Sequence, residues 1–201
     1  MRAKQKQRVG IYAGTFDPVH AGHISFALQS LTAANLDVIY FVPERKPRDK
    51  RHIEHFAHRA AMIKRAIKPH KKFAILELVD SNFSVERTLP KLHKHFPGDE
   101  LVFLFGSDII PGLASWPHAD KLLTLHELVI GLRNQDNRSK LHVLIEAWPY
   151  QPKAVTMFPS YAPRVSSGKV REALRAHQPA EGLLASVERY CDHNWLYIKL
   201  A

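Results

Sequence analysis

The sequence holds a single cysteine, Cys191, among 201 residues, so the chain cannot form a disulfide within itself. That suits a reducing compartment. It has no apolar run long enough to span a bilayer. Met1 to Arg8 is basic and polar and passes straight into Val9-Gly10-Ile11-Tyr12-Ala13, with no segment of signal-peptide type. The chain therefore reads as soluble and cytoplasmic, with no membrane partner. Acidic residues are scarce: 19 Asp and Glu against 29 Lys and Arg leave a net charge of +10. Such a field attracts polyanions, whether nucleic acid, anionic lipid or small phosphorylated substrates. The basic residues are spread along the chain, and no zinc-finger or RNA-recognition signature is present, so a nucleic-acid partner is not expected. A basic nucleic-acid-binding module stays as the alternative of a different class. Internal repeats and low-complexity segments are also lacking. At 45% hydrophobic and 24% charged residues, the composition is that of a globular chain with its own core.

What is present alternates between strand and helix patterns. Strands are expected at Arg8–Ala13, Asp37–Val42, Phe73–Val79, Leu101–Phe105, Leu128–Leu132 and Ala154–Phe158. The first helix runs from Gly22 to Ala33, with Ile24, Phe26, Ala27, Leu28 and Leu31 as its apolar positions. The second runs from His55 to Ile67, with Ala60, Ala61, Ile63 and Ile67 buried. Ser84 is a plausible N-cap for a helix through Leu92. A helical stretch holds Leu122 and Leu123. Ser166 or Ser167 opens a helix to about Ala176, and a last helix covers about Leu183 to Cys191. The polar segment Asn134–Lys140 reads as a surface insertion. Alternation of this kind predicts an α/β fold: a doubly wound, mostly parallel sheet with helices on both faces. The whole of 1–201 reads as one domain, with 1–8 a basic tail and about 163–201 a C-terminal helical part that completes the nucleotide site. In such folds ligands sit at the carboxyl ends of strands. The loops after Ala13, Val42, Phe105 and Phe158 are therefore the ones to inspect.

The first of these carries the most chemistry: Gly14-Thr15-Phe16-Asp17-Pro18-Val19-His20-Ala21-Gly22-His23. It joins a strand to a helix. A helix N-terminus offers unpaired N–H groups and the positive end of a dipole, which suit an anion. Gly14 permits a tight turn and close approach of backbone to ligand. His20 and His23 are three apart and share one face of the first turn. Gly22 places no side chain between them and a phosphate. Phosphoryl and nucleotidyl transfer need positioning and charge stabilisation more than a base, because a phosphate monoester is already an anionic nucleophile. A second segment, Val165-Ser166-Ser167-Gly168-Lys169-Val170-Arg171, also opens a helix. It is not a Walker A loop: Pro163 stands at the first glycine position, and Val170 replaces the required hydroxyl residue. His52, His55 and His58 drift around their helix with no completing ligand, so no metal is assigned to them.

The first string resembles the nucleotidyltransferase superfamily marked by Gly-Thr-Phe-Asp-Pro and His/Thr-x-Gly-His. The second is similar to that superfamily's Ile-Ser-Ser-Thr-x-Ile-Arg, with Gly168 at the threonine. Three more stretches resemble nicotinate (nicotinamide) mononucleotide adenylyltransferases in particular. Val42-Pro43-Glu44-Arg45-Lys46-Pro47-Arg48-Asp49-Lys50 is similar to their Leu-Pro-x-x-x-Pro-Pro-His-Lys loop, with Arg48-Asp49 in place of Pro-His. Gly106-Ser107-Asp108, followed by Leu113 and Trp116, is similar to their Gly-x-Asp…Leu-x-x-Trp segment. The ending from Leu183-Leu184 to Leu196-Tyr197 resembles their C-terminal helix and tail. Ala13 stands where many members have glycine.

The resemblance implies a Rossmann-like fold and transfer of AMP from ATP to nicotinate mononucleotide, with release of pyrophosphate. His20, His23 and Arg171 would be catalytic. Gly14, Thr15, Phe16, Gly22, Lys50, Gly106, Asp108, Ser166 and Ser167 would hold ATP. Trp116, Ser84 and Arg48 would hold the acceptor. Mg²⁺ would enter on the ATP phosphates, held mainly by substrate and water, with no metal ligands from the protein. Other acceptors of the same superfamily stay open, among them nicotinamide mononucleotide, phosphopantetheine and alditol phosphates, as does a member that senses nucleotide without turning it over.

Overall fold

The computed structural model describes residues 5–48, 50–133, 136–162 and 164–198. These residues build a six-stranded sheet in the order β3-β2-β1-β4-β5-β6, every pair parallel. The strands are β1 (Arg8–Gly14), β2 (Val38–Pro43), β3 (Phe73–Ile75), β4 (Glu100–Gly106), β5 (Glu127–Leu132) and β6 (Ala154–Pro159). The helices are α1 (Ala21–Ala33), α2 (Phe56–Ile67), α3 (Val85–His95), α4 (Ile110–Leu113), α5 (Ala119–Leu123), α6 (Arg138–Glu146), α7 (Ser167–Arg175) and α8 (Ala185–His193). This is the doubly wound Rossmann-like order.

Period-2 alternation along the central strands divides the core between the two faces of the sheet. Val9, Ile11, Leu101, Phe103, Leu128 and Ile130 point to one side, under α3, α5 and α6. Ile39, Phe41, Val102, Leu104 and Val129 point to the other, under α1, α2 and α8. Burial on both faces is why these strands read as continuous apolar runs. Helix α1 lies close to the sheet because β5 offers Gly131 there. A Cβ at Gly131 would come within 2.8 Å of the Phe26 ring.

Four expectations need correction. The third strand spans only Phe73–Ile75, not Phe73–Val79. It is an edge strand that pairs with β2 alone, and β2 stops at Pro43, which has no N–H to continue a ladder. Val79 beyond it is 77% exposed. Within the expected insertion 134–140, Asn134 and Gln135 lie outside the described residues, and Asn137 caps α6 by accepting from Lys140 N–H at 3.1 Å. The i, i+3, i+4 spacing of Leu141, Leu144 and Ile145 turns that helix toward the core. Leu28 faces solvent on α1, and Ala61 is only half-buried, because each lies at the margin of its helix's apolar stripe. Arg8 belongs to β1 rather than to a tail: its side chain pairs with Glu127 and Glu100 at the end of the sheet remote from the site. Residues 1–4 lie outside the described residues.

Among the described residues no helix is long and apolar enough to cross a membrane.

Candidate active site

Strand β1 pairs with β2 on one side and β4 on the other, so the winding reverses between β1 and β4. Loops leaving these two strands must part in opposite directions, which opens a crevice at their carboxyl ends. A cleft of about 510 Å³ lies there. Its lining brings together Gly14, Thr15, Phe16, His20 and His23 from the β1–α1 junction with Ser166, Ser167 and Arg171 from α7. Gly106, Asp108 and Trp116 after β4, Arg48 and Lys50 after β2, and Ser84 before α3 complete it. Gly22 is not part of that lining, although the imidazole it supports is.

The two histidines are set by backbone. His20 is the N-cap of α1, and its Nδ1 accepts the Gly22 N–H at 3.1 Å. His23, at the third helical position, returns the arrangement: its Nδ1 accepts the His20 N–H at 3.2 Å. This is a reciprocal capping box built from two imidazoles. The ring centroids lie 3.8 Å apart. A Cβ at Gly22 would sit 3.0 Å from the His20 ring, so any larger residue would push the imidazole aside. Phe16 is mostly buried, lines the cleft, and sets its ring edge-on to His23 at 5.1 Å. It supports the imidazole from behind.

An Nδ1 that accepts an amide N–H carries no proton. The neutral ring must then hold its proton on Nε2, as a donor. Electrostatics acts in the same direction. Burial, then the Arg133 cation, lowers His20 from its ordinary value to about 4. Burial, then His20 and Arg133, holds His23 well below the ordinary range. Both imidazoles are therefore neutral Nε2–H donors at neutral pH.

The linkage has a definite sign. As pH falls through 6.5, the unfolded imidazole takes a proton that the folded one refuses until about 4. Stability is thus full above 6.5 and lost between there and about 4. For His20 alone this amounts to on the order of 3 kcal/mol. Urea unfolding at pH 7 and pH 5 is expected to show the loss, and His20→Asn is expected to remove that residue's share of it.

Opposite the pair, α7 presents its own N-terminus. Ser166 caps it, accepting Lys169 N–H at 3.3 Å, and its O–H donates to no acceptor among the described residues. The Ser167 hydroxyl donates to Pro18 O at 3.0 Å, which ties α7 to the first loop. Arg171 donates to the carbonyl of Asp17 and so points along the same junction. At Gly168 an added Cβ would meet only Ser166 Oγ, at 3.9 Å. The space for a threonine is intact. Gly168→Thr is expected to fold at least as stably as the native chain and to lower KM for ATP severalfold in steady-state assays.

The far end of the cleft is aromatic and then cationic. Trp116 packs against Phe83 and Phe105 with ring centroids 6.1 Å away in each case. Ser84 starts α3, but its side chain makes no cap bond among the described residues. Its N–H is held instead by Thr88 Oγ1 at 3.1 Å. Arg48 reaches Asn82 at 3.5 Å, and Lys50 is exposed at the rim. Asp49 lies outside the described residues. The Asp108 carboxylate is 58% exposed, with Arg133 Nη2 at 3.9 Å.

Comparison with known proteins agrees with this geometry. A family model described as cytidylyltransferase-like matches residues 11–173. The chain is 34% identical over 199 residues to the nicotinate-nucleotide adenylyltransferase of Bacillus subtilis, covering 95% of this chain and 98% of that one. It is 31% identical to a probable nicotinate-nucleotide adenylyltransferase of Coprothermobacter proteolyticus, with 96% of each chain covered. The chain belongs to the nicotinate-nucleotide adenylyltransferase family. In fold it matches Plasmodium falciparum nicotinic acid mononucleotide adenylyltransferase complexed with NaAD, at a TM-score of 0.77 and 20% identity over 95% of this chain and 97% of that one.

Within this family frame, Arg133 and Glu44 line the cleft, and Asp17 and Arg59 bind residues that do; sequence reading singled out none of the four. Arg133 follows directly on β5 and lines the cleft near both histidines. A rule already applied to other strands, inspecting each carboxyl end, would have found it. Glu44 accepts the Phe83 N–H at 2.8 Å, so the loop after β2 positions the start of α3. Asp17 sits inside the family string but received no role. Arg59 is fully buried, although it directly follows His58 on a helix whose sequence reads as partly exposed and positively charged. Of the trio His52, His55 and His58, His55 stands at the N-cap position of α2 with no side-chain cap bond among the described residues, His58 meets the Tyr190 hydroxyl at 2.9 Å, and His52 is exposed.

Proposed function

We propose that this chain transfers AMP from ATP to nicotinate mononucleotide, releasing pyrophosphate. The observation that carries the reading is the pair of backbone-fixed imidazoles, both Nε2–H donors, facing Ser166 and Arg171 across the switch-point cleft. An acceptor phosphate oxygen attacks the α-phosphorus in line, and the bond to the bridging α–β oxygen breaks. His20 and His23 donate to the phosphate oxygens on which charge builds. Ser166 and Arg171 hold the departing pyrophosphate, with Lys50 at the rim. None of these groups has to take a proton, which fits imidazoles whose acceptor nitrogens are already engaged.

The cleft suits Mg²⁺ carried in by the triphosphate. Among the described residues no cluster of three or more His, Cys, Asp or Glu stands ready as a cage. Of the two carboxylates in the lining, Glu44 is engaged by Phe83 N–H, which leaves Asp108. The cation supplies charge neutralisation on the phosphates when bound. Thr15, Gly14 and Gly106 form backbone walls beside the nucleotide.

The acceptor end favours a carboxylate over an amide. The ring would lie against Trp116, and the positive dipole end of α3, whose N-cap makes no side-chain cap bond among the described residues, would together with Arg48 favour negative charge there against Glu86 in the first turn. A pyrophosphate-release assay with ATP and Mg²⁺ against both mononucleotides tests this. Preferred turnover of the nicotinate form is expected. Release with another phosphate acceptor and none with nicotinate mononucleotide would overturn the substrate.

A further inference from the structure

The tail of the chain reaches back to the first loop. Tyr197 is 6% exposed, and its hydroxyl donates to Asp17 Oδ1 at 2.7 Å across 180 positions of sequence. Tyr197 has left-handed backbone, with φ of 64°. Large residues take that conformation only where surrounding contacts hold it. Burial and the nearby Asp17 charge push the phenol up, so it keeps the proton it donates. Asp17 is itself buried, at 1% exposure. Its Oδ1 also accepts the Glu54 N–H at 3.2 Å. Its Oδ2 has no hydrogen-bond partner among the described residues and lies 3.6 Å from Arg171 Nη1.

We propose that Tyr197 is a positioning residue for the pyrophosphate end of the site, acting through Asp17 on Arg171. The inference rests on the reading of Arg171 as the group that holds pyrophosphate. Two donors pin Oδ1, so only Oδ2 faces Arg171, and at 3.6 Å it steadies the guanidinium without clamping it. The other guanidinium beside Asp17, that of Arg59, is already bound to backbone carbonyls and cannot move to satisfy Oδ2. Arg171 spends Nη1 on the Asp17 carbonyl and makes no hydrogen bond to a side chain among the described residues, which leaves its other donors to phosphate. Without the phenol hydroxyl, Oδ1 loses its shorter bond. The carboxylate can then turn and take Arg171 through two oxygens, the geometry such pairs prefer. Arg171 would be drawn off the substrate.

The test compares native protein, Tyr197→Phe, Arg171→Ala and the double variant. It reads KM for ATP, KM for mononucleotide, product inhibition by pyrophosphate and Tm. Tyr197→Phe keeps the buried ring. It is expected to raise KM for ATP and weaken pyrophosphate inhibition about tenfold, the scale of one charge-assisted hydrogen bond. KM for mononucleotide should stay within about twofold. On the Arg171→Ala background the same change should add almost nothing. An equal loss for both substrates, no change, or a full additive loss on Arg171→Ala would overturn the proposal and leave Tyr197 as packing. If Arg171→Ala alone leaves ATP and pyrophosphate unaffected, the pyrophosphate reading itself fails, and the proposal with it. Should the Phe variant not fold, Asp17→Asn tests the same link with the opposite expected sign: its amide oxygen still accepts from Tyr197 but cannot clamp Arg171 through two oxygens, so KM for ATP should stay within about twofold, and a tenfold rise would overturn the proposal.

Discussion

Replacing His20 with asparagine is expected to lower kcat on the order of 100-fold or more while leaving Tm close to native. The two halves of that result come from different atoms of one side chain. The Nδ1 atom caps α1, and asparagine is among the best residues for that position. In the proposed mechanism the Nε2–H is the donor to phosphate, and asparagine does not reach as far. His20→Ala removes both functions and should cost about 1 kcal/mol of stability in addition. His23→Gln separates the roles in the same way, since glutamine at the third helical position is the usual partner in a capping box. Near-native turnover in both His20→Asn and His23→Gln, measured by pyrophosphate release, would sink the charge-stabilising role.

The same capping bonds explain why two histidines can stand 3.8 Å apart in a buried corner. Two imidazolium rings there would repel each other and Arg133. Two neutral rings, each accepting one amide N–H, have no such conflict. The protonation state is thus decided by the helix start, and the chemistry uses what that start leaves free.

Much of this was legible in the sequence, for physical reasons. The order of strands and helices followed from apolar runs buried on both faces. The first loop was visible because it combines a strand end, small residues and two histidines on one helical turn. Trp116 and Arg171 were visible only through their place in longer strings. Other features depend on contacts distant in sequence. The end of the third strand is set by Pro43 of its neighbour. Arg133 stood at a strand end that was passed over. Asp17 gains its meaning from Tyr197, which no local pattern reveals. Arg59 is hidden most completely, since arginine on a basic helix almost always faces water.

Arg59 is also the residue whose loss should cost the fold most. Its guanidinium is fully buried and donates to four carbonyls: Thr15 at 2.6 Å, Glu44 at 2.7 Å, Glu54 at 3.0 Å and Arg45 at 3.1 Å. These carbonyls belong to the loop after β1, the loop after β2 and the lead-in to α2. Burial alone lowers the pKa of the guanidinium, and the Asp17 charge opposes that shift. One cation thus satisfies three loop segments and offsets one buried carboxylate. Arg59→Met fills much of the space but leaves the carbonyls without donors and Asp17 without this neighbour. Removing one partner from such a buried network costs about 3–5 kcal/mol. For a chain of this length that corresponds to a fall in Tm of roughly 10 °C. Arg59→Lys keeps the charge but has no planar fork to span three segments, so an intermediate loss is expected. The kinetic signature of Arg59→Lys should also differ from that of Tyr197→Phe. Glu44 carries the start of α3, and Thr15 lines the cleft from the loop after β1, so a shift at Arg59 reaches the lining from two loops at once. KM for ATP and KM for mononucleotide are expected to rise together in the folded lysine variant. A lysine variant of native Tm with unchanged constants for both substrates would show that the three loops hold their places without this clamp.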